Sequence, residues 1–327
     1  MGSKSTAIHK NKSFLDMMAK FSKDYMSLVA ILLIGIVFSF ASPYFFSSSN
    51  FANILLQSST VGIVAIGQAL LMVTGQVDLS LGYNVCLTGC IFAYTMKFLS
   101  WNPYLAIIVA LAIGFVIGSA NGFLVAYCKL PAFIATLGLQ NICKGLSKII
   151  TNATPIANLP DEVAFLGRGY VGAIPVCVII MVLLYILFSF IMRKTRFGRN
   201  IYAVGGGREA AFYSGINTKM MIFLSFAIAG LLAAVSGVVL TSRLNSAAIT
   251  NGNLYEFDAY ISAAIGGISL TGGKGKIVGA MFGSIFLITF FNGMTMLNVD
   301  PFWQDVLKGV VLIIAIGLDV FRNRRRH

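Results

Sequence analysis

Charge is what this chain has least of: only 11% of its 327 residues are Asp, Glu, Lys or Arg, against roughly 25% in soluble domains. With 57% hydrophobic residues and a mean hydropathy of +0.85, that scarcity excludes a water-soluble fold. Histidine is almost absent. The two present, His9 and His327, fall in the polar termini, which excludes imidazole chemistry from the apolar part of the chain. Cysteine is sparse as well: Cys86, Cys90, Cys128, Cys143 and Cys177 all lie in apolar stretches. Cys86 and Cys90 are neighbours on a helix face, but no further thiol or imidazole is placed to complete a metal site, so they read as packing residues. The net charge of +13 comes from short basic clusters between apolar runs, with few aromatics beside them. That is the signature of membrane topology, and no nucleic-acid partner is expected.

What is there is a succession of apolar runs. Segments 25–41, 53–74, 79–97, 103–127, 131–150, 174–191, 219–241, 255–271, 277–297 and 303–320 approach or exceed the ~17–20 residues that cross hydrocarbon. The expected fold is an all-α polytopic membrane protein of about ten transmembrane helices, helices being the spanning form that satisfies its own backbone. The first run follows Lys4, Lys10, Lys12, Lys20 and Lys23 as in a signal peptide, and Ser39-Phe40-Ala41 mimics a cleavage site. Pro43 and the apolar chain beyond it favour an uncleaved first span. With the N-terminus inside, Lys129, the cluster Arg193, Lys194, Arg196, Arg199, Arg208 and Lys219, the pair Lys274/Lys276 and the tail Arg322, Arg324, Arg325 and Arg326 share one side. Roughly 18 of the 24 basic residues are then cytoplasmic, as are both termini. The organisation read from this is a cytoplasmic head 1–24, a membrane domain 25–320 with a cytoplasmic connection 192–219, and a basic tail 321–327. Glycines one turn apart, Gly114/Gly118/Gly122 and Gly279/Gly283, let helices approach closely in lipid.

Two glycine clusters imitate nucleotide loops. Gly205-Gly206-Gly207-Arg208-Glu209-Ala210 lacks the acidic residue about 20 positions on that a dinucleotide site needs, and no βαβ unit fits between spans. Gly272-Gly273-Lys274-Gly275-Lys276 has the wrong glycine spacing for a phosphate loop, and Ile277 stands where a metal-binding hydroxyl belongs. The chain therefore carries no ATP site and no cofactor of its own. Transport driven by nucleotide would require a separate ATPase and a cytoplasmic surface on which it docks. The stretch 195–219 offers one: Gly207 to Ile216 reads as a short amphipathic helix ended by glycine, with Ala210, Ala211 and Ser214 on one face.

Polar groups inside the runs are the remaining signal. Gly75-Gln76-Val77-Asp78-Leu79-Ser80-Leu81-Gly82 joins two runs almost without a polar linker, which puts Asp78 in or near the membrane. Asp78 and Ser80 suit N-caps for the next helix, with solute contact as the alternative. Glu256 and Asp258 open the eighth run, and Asp305 and Lys308, one turn apart in the tenth, are expected to pair with each other. So thin a supply of ionisable groups argues against an ion-coupled carrier. Among the amides and their neighbours, Gln68, Asp78, Ser80, Asn84, Asn121, Asn141, Asn292 and Trp303 are the candidates for lining a path, with helix–helix hydrogen bonding as the other reading. Amides, hydroxyls and aromatics suit an uncharged polyol better than an ion.

Six ordered blocks carry a resemblance that spans nearly the whole chain. They are Ser42-Pro43-Tyr44-Phe45-Phe46 with Asn53-Ile54-Leu55; Gly75 to Gly82; Asn121-Gly122 with Pro131-Ala132-Phe133-Ile134-Ala135-Thr136-Leu137-Gly138; and Thr195-Arg196-Phe197-Gly198-Arg199 leading to Tyr202-Ala203-Val204-Gly205-Gly206, Ala210-Ala211 and Ser214-Gly215-Ile216. The fifth runs from Tyr255-Glu256-Phe257-Asp258 through Gly266-Gly267-Ile268-Ser269-Leu270-Thr271-Gly272-Gly273-Lys274-Gly275, and the sixth is Trp303 to Gly309. Together they resemble the permease subunits of bacterial monosaccharide ABC importers, the group containing the ribose and galactose systems, although Gly207 stands where asparagine is expected. The resemblance implies a non-catalytic, multi-pass inner-membrane subunit that works as a dimer. It also implies a cytoplasmic ATPase, which binds ATP and Mg and engages Gly207, Glu209, Ala210, Ala211, Ser214 and Gly215. An extracytoplasmic sugar-binding protein would dock on the other side, with Asp161, Glu162, Arg168 and Arg243 as the expected contacts. Alternatives are a permease of the same type for a nucleoside or branched-chain amino acid, and a secondary carrier.

Overall fold

The computed structural model describes residues 28–40 and 42–324; the head 1–24 and the arginines after Arg324 lie outside the described residues. The chain is a helical bundle. Its helices are α1 (Leu28–Phe40), α2 (Ser48–Val73), α3 (Leu81–Lys97), α4 (Pro103–Ala126), α5 (Ala132–Thr151), α6 (Ala164–Arg168), α7 (Val176–Lys194), α8 (Arg196–Gly206), α9 (Arg208–Tyr213), α10 (Thr218–Leu244), α11 (Tyr255–Ile265), α12 (Ile277–Met296) and α13 (Pro301–Arg324). Five of them, α2, α4, α7, α10 and α12, are long and apolar enough to cross a membrane. Their starts follow the rules of local chemistry. Ser47, Asn102 and Asn217 accept the free N–H groups that open α2, α4 and α10, and Pro103 takes the first turn of α4, where no amide donor is needed.

The centre of the bundle is α2, in which every side chain from Ser58 to Val73 is buried, as a helix apolar on all sides must be. The helix α10 crosses it. On its far side α10 meets α4 through the predicted glycines: a Cβ on Gly114 would lie 2.7 Å from the Gly230 carbonyl oxygen, and one on Gly122 2.7 Å from that of Phe223. Backbones can come this near only without side chains between them, which is how helices gain dispersion energy where lipid offers no hydrophobic drive. The same device joins Gly279 and Gly283 of α12 to the carbonyls of Gly266 and Ser262 at and beyond the end of α11.

The eighth run departs from expectation. Its helix stops at Ile265 because Gly266 and Gly267 turn the chain, Gly267 with φ +83°. At about 1.5 Å per residue α11 covers only about half of a ~30 Å hydrocarbon layer. The order of a long helix, a non-helical return, a shorter helix and two further helices thus occurs twice, in α2 to α5 and in α10 to α13. The two ends of the bundle differ. At one end β1 (Ile156–Ala157) pairs antiparallel with β4 (Ser246–Ala247), beside the small hairpin of β2 (Tyr170–Val171) and β3 (Ile174–Pro175). At the other lie α8 and α9.

Candidate functional site

At the α9 end the short helix forms as its sequence predicts. The amide of Ile216 bonds to Ala211 O and that of Gly215 to Phe212 O, a glycine-terminated closure in which Gly215 takes φ +80°. Its faces are distributed differently from the expectation. Ala211 is buried against the bundle, whereas the expectation set it beside Ala210 and Ser214 on one face. Glu209, Ala210, Phe212, Tyr213, Ser214 and Gly215 are exposed, and Phe212 and Tyr213 put two aromatic rings into the open. A sequence pattern favours the small residues because it cannot fix the rotation of a six-residue helix. Gly207 precedes the helix as its extended N-cap.

Behind α9 the two nucleotide-like glycine clusters pack on each other. A Cβ on Gly272 would lie 2.7 Å from Gly205 O, and one on Gly273 2.7 Å from the Gly206 Cα. The Gly273 amide donates to Val73 O at the end of α2 (2.8 Å), and the Tyr202 hydroxyl of α8 donates to Gly275 O (2.6 Å). Burial raises the Tyr202 pKa against the opposing pull of Arg193, which keeps the phenol a donor. These glycines bring three backbones into contact, tying α8 and the start of α9 to the central helix.

From that joint the chain turns back into the bundle at Gly75 and brings Asp78 to full burial. The Asp78 carboxylate accepts the Ser80 amide (2.7 Å), the Ser80 hydroxyl (2.6 Å) and the Asn121 amide of α4 (3.2 Å). The capping expectation is corrected here: the Ser80 side chain makes no cap bond to α3 but donates to Asp78, closing a buried triad with Asn121. The next turn repeats the theme, since the Asn84 amide donates to the carbonyls of Gly114 (3.4 Å) and Gly230 (3.3 Å), pinning α3 to α4 and α10. Asn292 of α12 donates to Asn50 of α2 (2.9 Å). Gln68 is fully buried in α2, and neither of its amide atoms has a hydrogen-bond partner. Five of the predicted pathway residues, Asp78, Ser80, Asn84, Asn121 and Asn292, thus take part in side-chain hydrogen bonds that link different segments of the bundle.

A second buried polar group gathers at the start of α11. Glu256 lies over Gly82, where any side chain would overlap its carboxylate, and accepts the Gln140 amide of α5 at 3.3 Å. The Lys308 ammonium is 3.2 Å from both oxygens of Asp258 and 5.2 Å from the centre of the Phe291 ring. The expected Asp305–Lys308 pair is not formed: Asp305 is exposed, and Lys308 turns inward to the buried acid of a neighbouring helix. Glu256 and Lys308 complete this buried polar group, and only the presence of charge in an apolar run signals them in the sequence.

The helix α5 differs from the five apolar helices. It is 20 residues long, and Gly138, Asn141, Lys144 and Lys148 are exposed at helical spacing along it. Asn141 folds its amide back onto Leu137 O of its own helix (3.0 Å). Of the predicted pathway residues, Asn141 and Trp303 of α13 are the ones on open faces. At the opposite end, Asp161, Glu162 and Arg168 are exposed, and the β1–β4 pairing and the packing of Gly167 on Ser242 and Arg243 bring them near α10. Arg243 is half-buried and donates to Leu56 O (2.6 Å), which ties α10 to α2.

Apolar spans around buried polar joints, with an exposed helix tied to the central span, define a polytopic membrane transport subunit. The chain belongs to the family described as branched-chain amino acid transport system / permease component, whose model matches residues 50–316. It is 39% identical over 293 residues to the ribose import permease protein of Bacillus subtilis (strain 168), covering 89% of this chain and 91% of the relative. The ribose import permease protein of Haemophilus influenzae is 34% identical, with 97% and 99% covered. The xylose transport system permease protein of Escherichia coli (strain K12) is 31% identical, with 92% of each covered. No solved structure matches the chain. The protein is a multi-pass permease of the bacterial inner membrane.

Proposed function

We propose that this permease conducts a pentose across the inner membrane as the non-catalytic subunit of an ATP-driven importer. The family description mentions branched-chain amino acids, but permeases named for ribose and for xylose, both pentoses, align along about nine-tenths or more of the chain. In this reading α1 to α5, α7 and α10 to α13 are ten membrane segments, with α8, α9 and both termini on the cytoplasmic side. A separate ATPase holding ATP and Mg docks on α9, and a sugar-binding protein docks at the β1–β4 end around Asp161, Glu162 and Arg168. Arg243 supports that end from within.

The observation that carries the reading is the open face of α5. Two ammonium groups and an amide cannot stand against lipid tails without a cost of about 2.5–3.5 kcal/mol for each lysine near the centre of a span. Such a face belongs on a water-filled path or against another protein, and pairing two copies of the chain across α5 provides both. The test is cysteine labelling in the assembled importer. Cys128, the exposed native thiol, is first replaced by serine; Asn141→Cys is then expected to react with a water-soluble, membrane-impermeant thiol reagent, and Ile186→Cys on the apolar face of α7 is not. Equal protection of both positions would remove the path from α5.

A further inference from the structure

The open face of α5 carries two lysines among exposed apolar side chains such as Ile134, Ile142 and Ile149, and a role for their charge in transport depends on the sugar path running along it. Lys144 and Lys148 are one turn apart and exposed, and neither is in an ion pair among the described residues. Lys144 does not extend toward an end of the bundle as a free lysine in a span would. Its ammonium lies 5.4 Å from the centre of the Tyr83 ring on α3, a contact that holds a cation on an aromatic face. Tyr83 adjoins Asn84, which bonds to Gly230, and Gly230 stands twelve residues after Thr218 and fourteen before Leu244 in α10. The charge is thereby held near mid-depth of the bundle.

The nearby carboxylates are turned away from that face. Glu256 is buried behind α5 on the Gln140 amide, Asp258 is taken by Lys308, and Asp78 by Ser80 and Asn121. What the path meets is positive charge. A conduit wide enough for a sugar also admits hydrated ions, and in an energised membrane such a leak would dissipate the potential. Fixed positive charge in a narrow, low-dielectric passage repels cations and leaves a neutral polyol unaffected.

We propose that Lys144, with Lys148 one turn nearer the β1–β4 end, is a cation barrier: it keeps protons and metal cations out of the path while sugar passes. Paired copies would present these charges from both sides. The experiment uses the whole importer, permease with its ATPase and sugar-binding protein, in liposomes holding a pH-sensitive dye under an inside-negative potassium diffusion potential, with proton entry measured per sugar taken up during ATP turnover. Wild type and Lys144→Arg are expected to stay tight. Lys144→Gln is expected to leak roughly 30-fold more, equivalent to about 2 kcal/mol at ~1.4 kcal/mol per factor of ten, and Lys144→Glu more still. Should Lys144→Glu not assemble, Lys144→Gln carries the test. In the Cys128→Ser background, Lys144→Cys is treated with the impermeant reagent. Labelling without a leak in the Gln variant overturns the barrier and leaves the path on α5; absence of labelling throughout turnover overturns both.

Discussion

Lys308→Met is expected to destabilise the permease by about 3–5 kcal/mol, because it strands a buried carboxylate in a medium that cannot solvate it. The Asp258 carboxylate is 5% exposed, and the Lys308 ammonium reaches both its oxygens. Asp258→Leu strands the ammonium in the same way. The double variant, in which both charges give way to apolar groups of similar size, is expected to recover most of the loss, since a buried pair is worth little more than well-packed hydrocarbon. Thermal unfolding of the four proteins in detergent gives the coupling energy directly. A double variant no more stable than either single would show that packing, and not charge, decides the site.

Gly205→Val is the second large effect. A Cβ there would overlap Val73 O and come within 2.5 Å of the Gly273 amide, and both obstacles are backbone. The joint between α8, the end of α2 and the 272–275 loop has to open, at a cost of about 3 kcal/mol. That joint ties α9 to α2, so ATP-driven uptake is expected to fall by at least about tenfold, the factor that ~1.4 kcal/mol represents. Gly206, with nothing near its Cβ position, is the control: Gly206→Ala is expected to behave as wild type. If uptake survives Gly205→Val, the joint does not transmit the motion.

The five long apolar helices α2, α4, α7, α10 and α12 were legible because apolar length is a one-dimensional property. The Gly114/Gly118/Gly122 contact was legible because a helical period places the three glycines on one face. The return at Gly266 was hidden, since an apolar run does not reveal whether its backbone stays helical. The partner of Lys308 was equally hidden: i to i+3 spacing favoured Asp305, whereas the bundle supplies Asp258 from fifty residues away. The amides were recognised as costly but could not be sorted. Asn121 and Asn84 meet their partners only when α3, α4 and α10 converge, whereas Asn141 faces outward because α5 packs with its other side. The rotation of α9 also depends on tertiary contact, which buries Ala211 and frees Phe212 and Tyr213.

Central to the proposed function is a subunit that opens a route but cannot power it. The most direct measurement is sugar accumulation in liposomes containing the permease alone, the permease with its ATPase and binding protein, and the same assembly with an ATPase unable to hydrolyse ATP. Concentrative uptake is expected only in the complete, ATP-hydrolysing system. Uphill uptake by the permease alone, driven by a proton or sodium gradient, would contradict it.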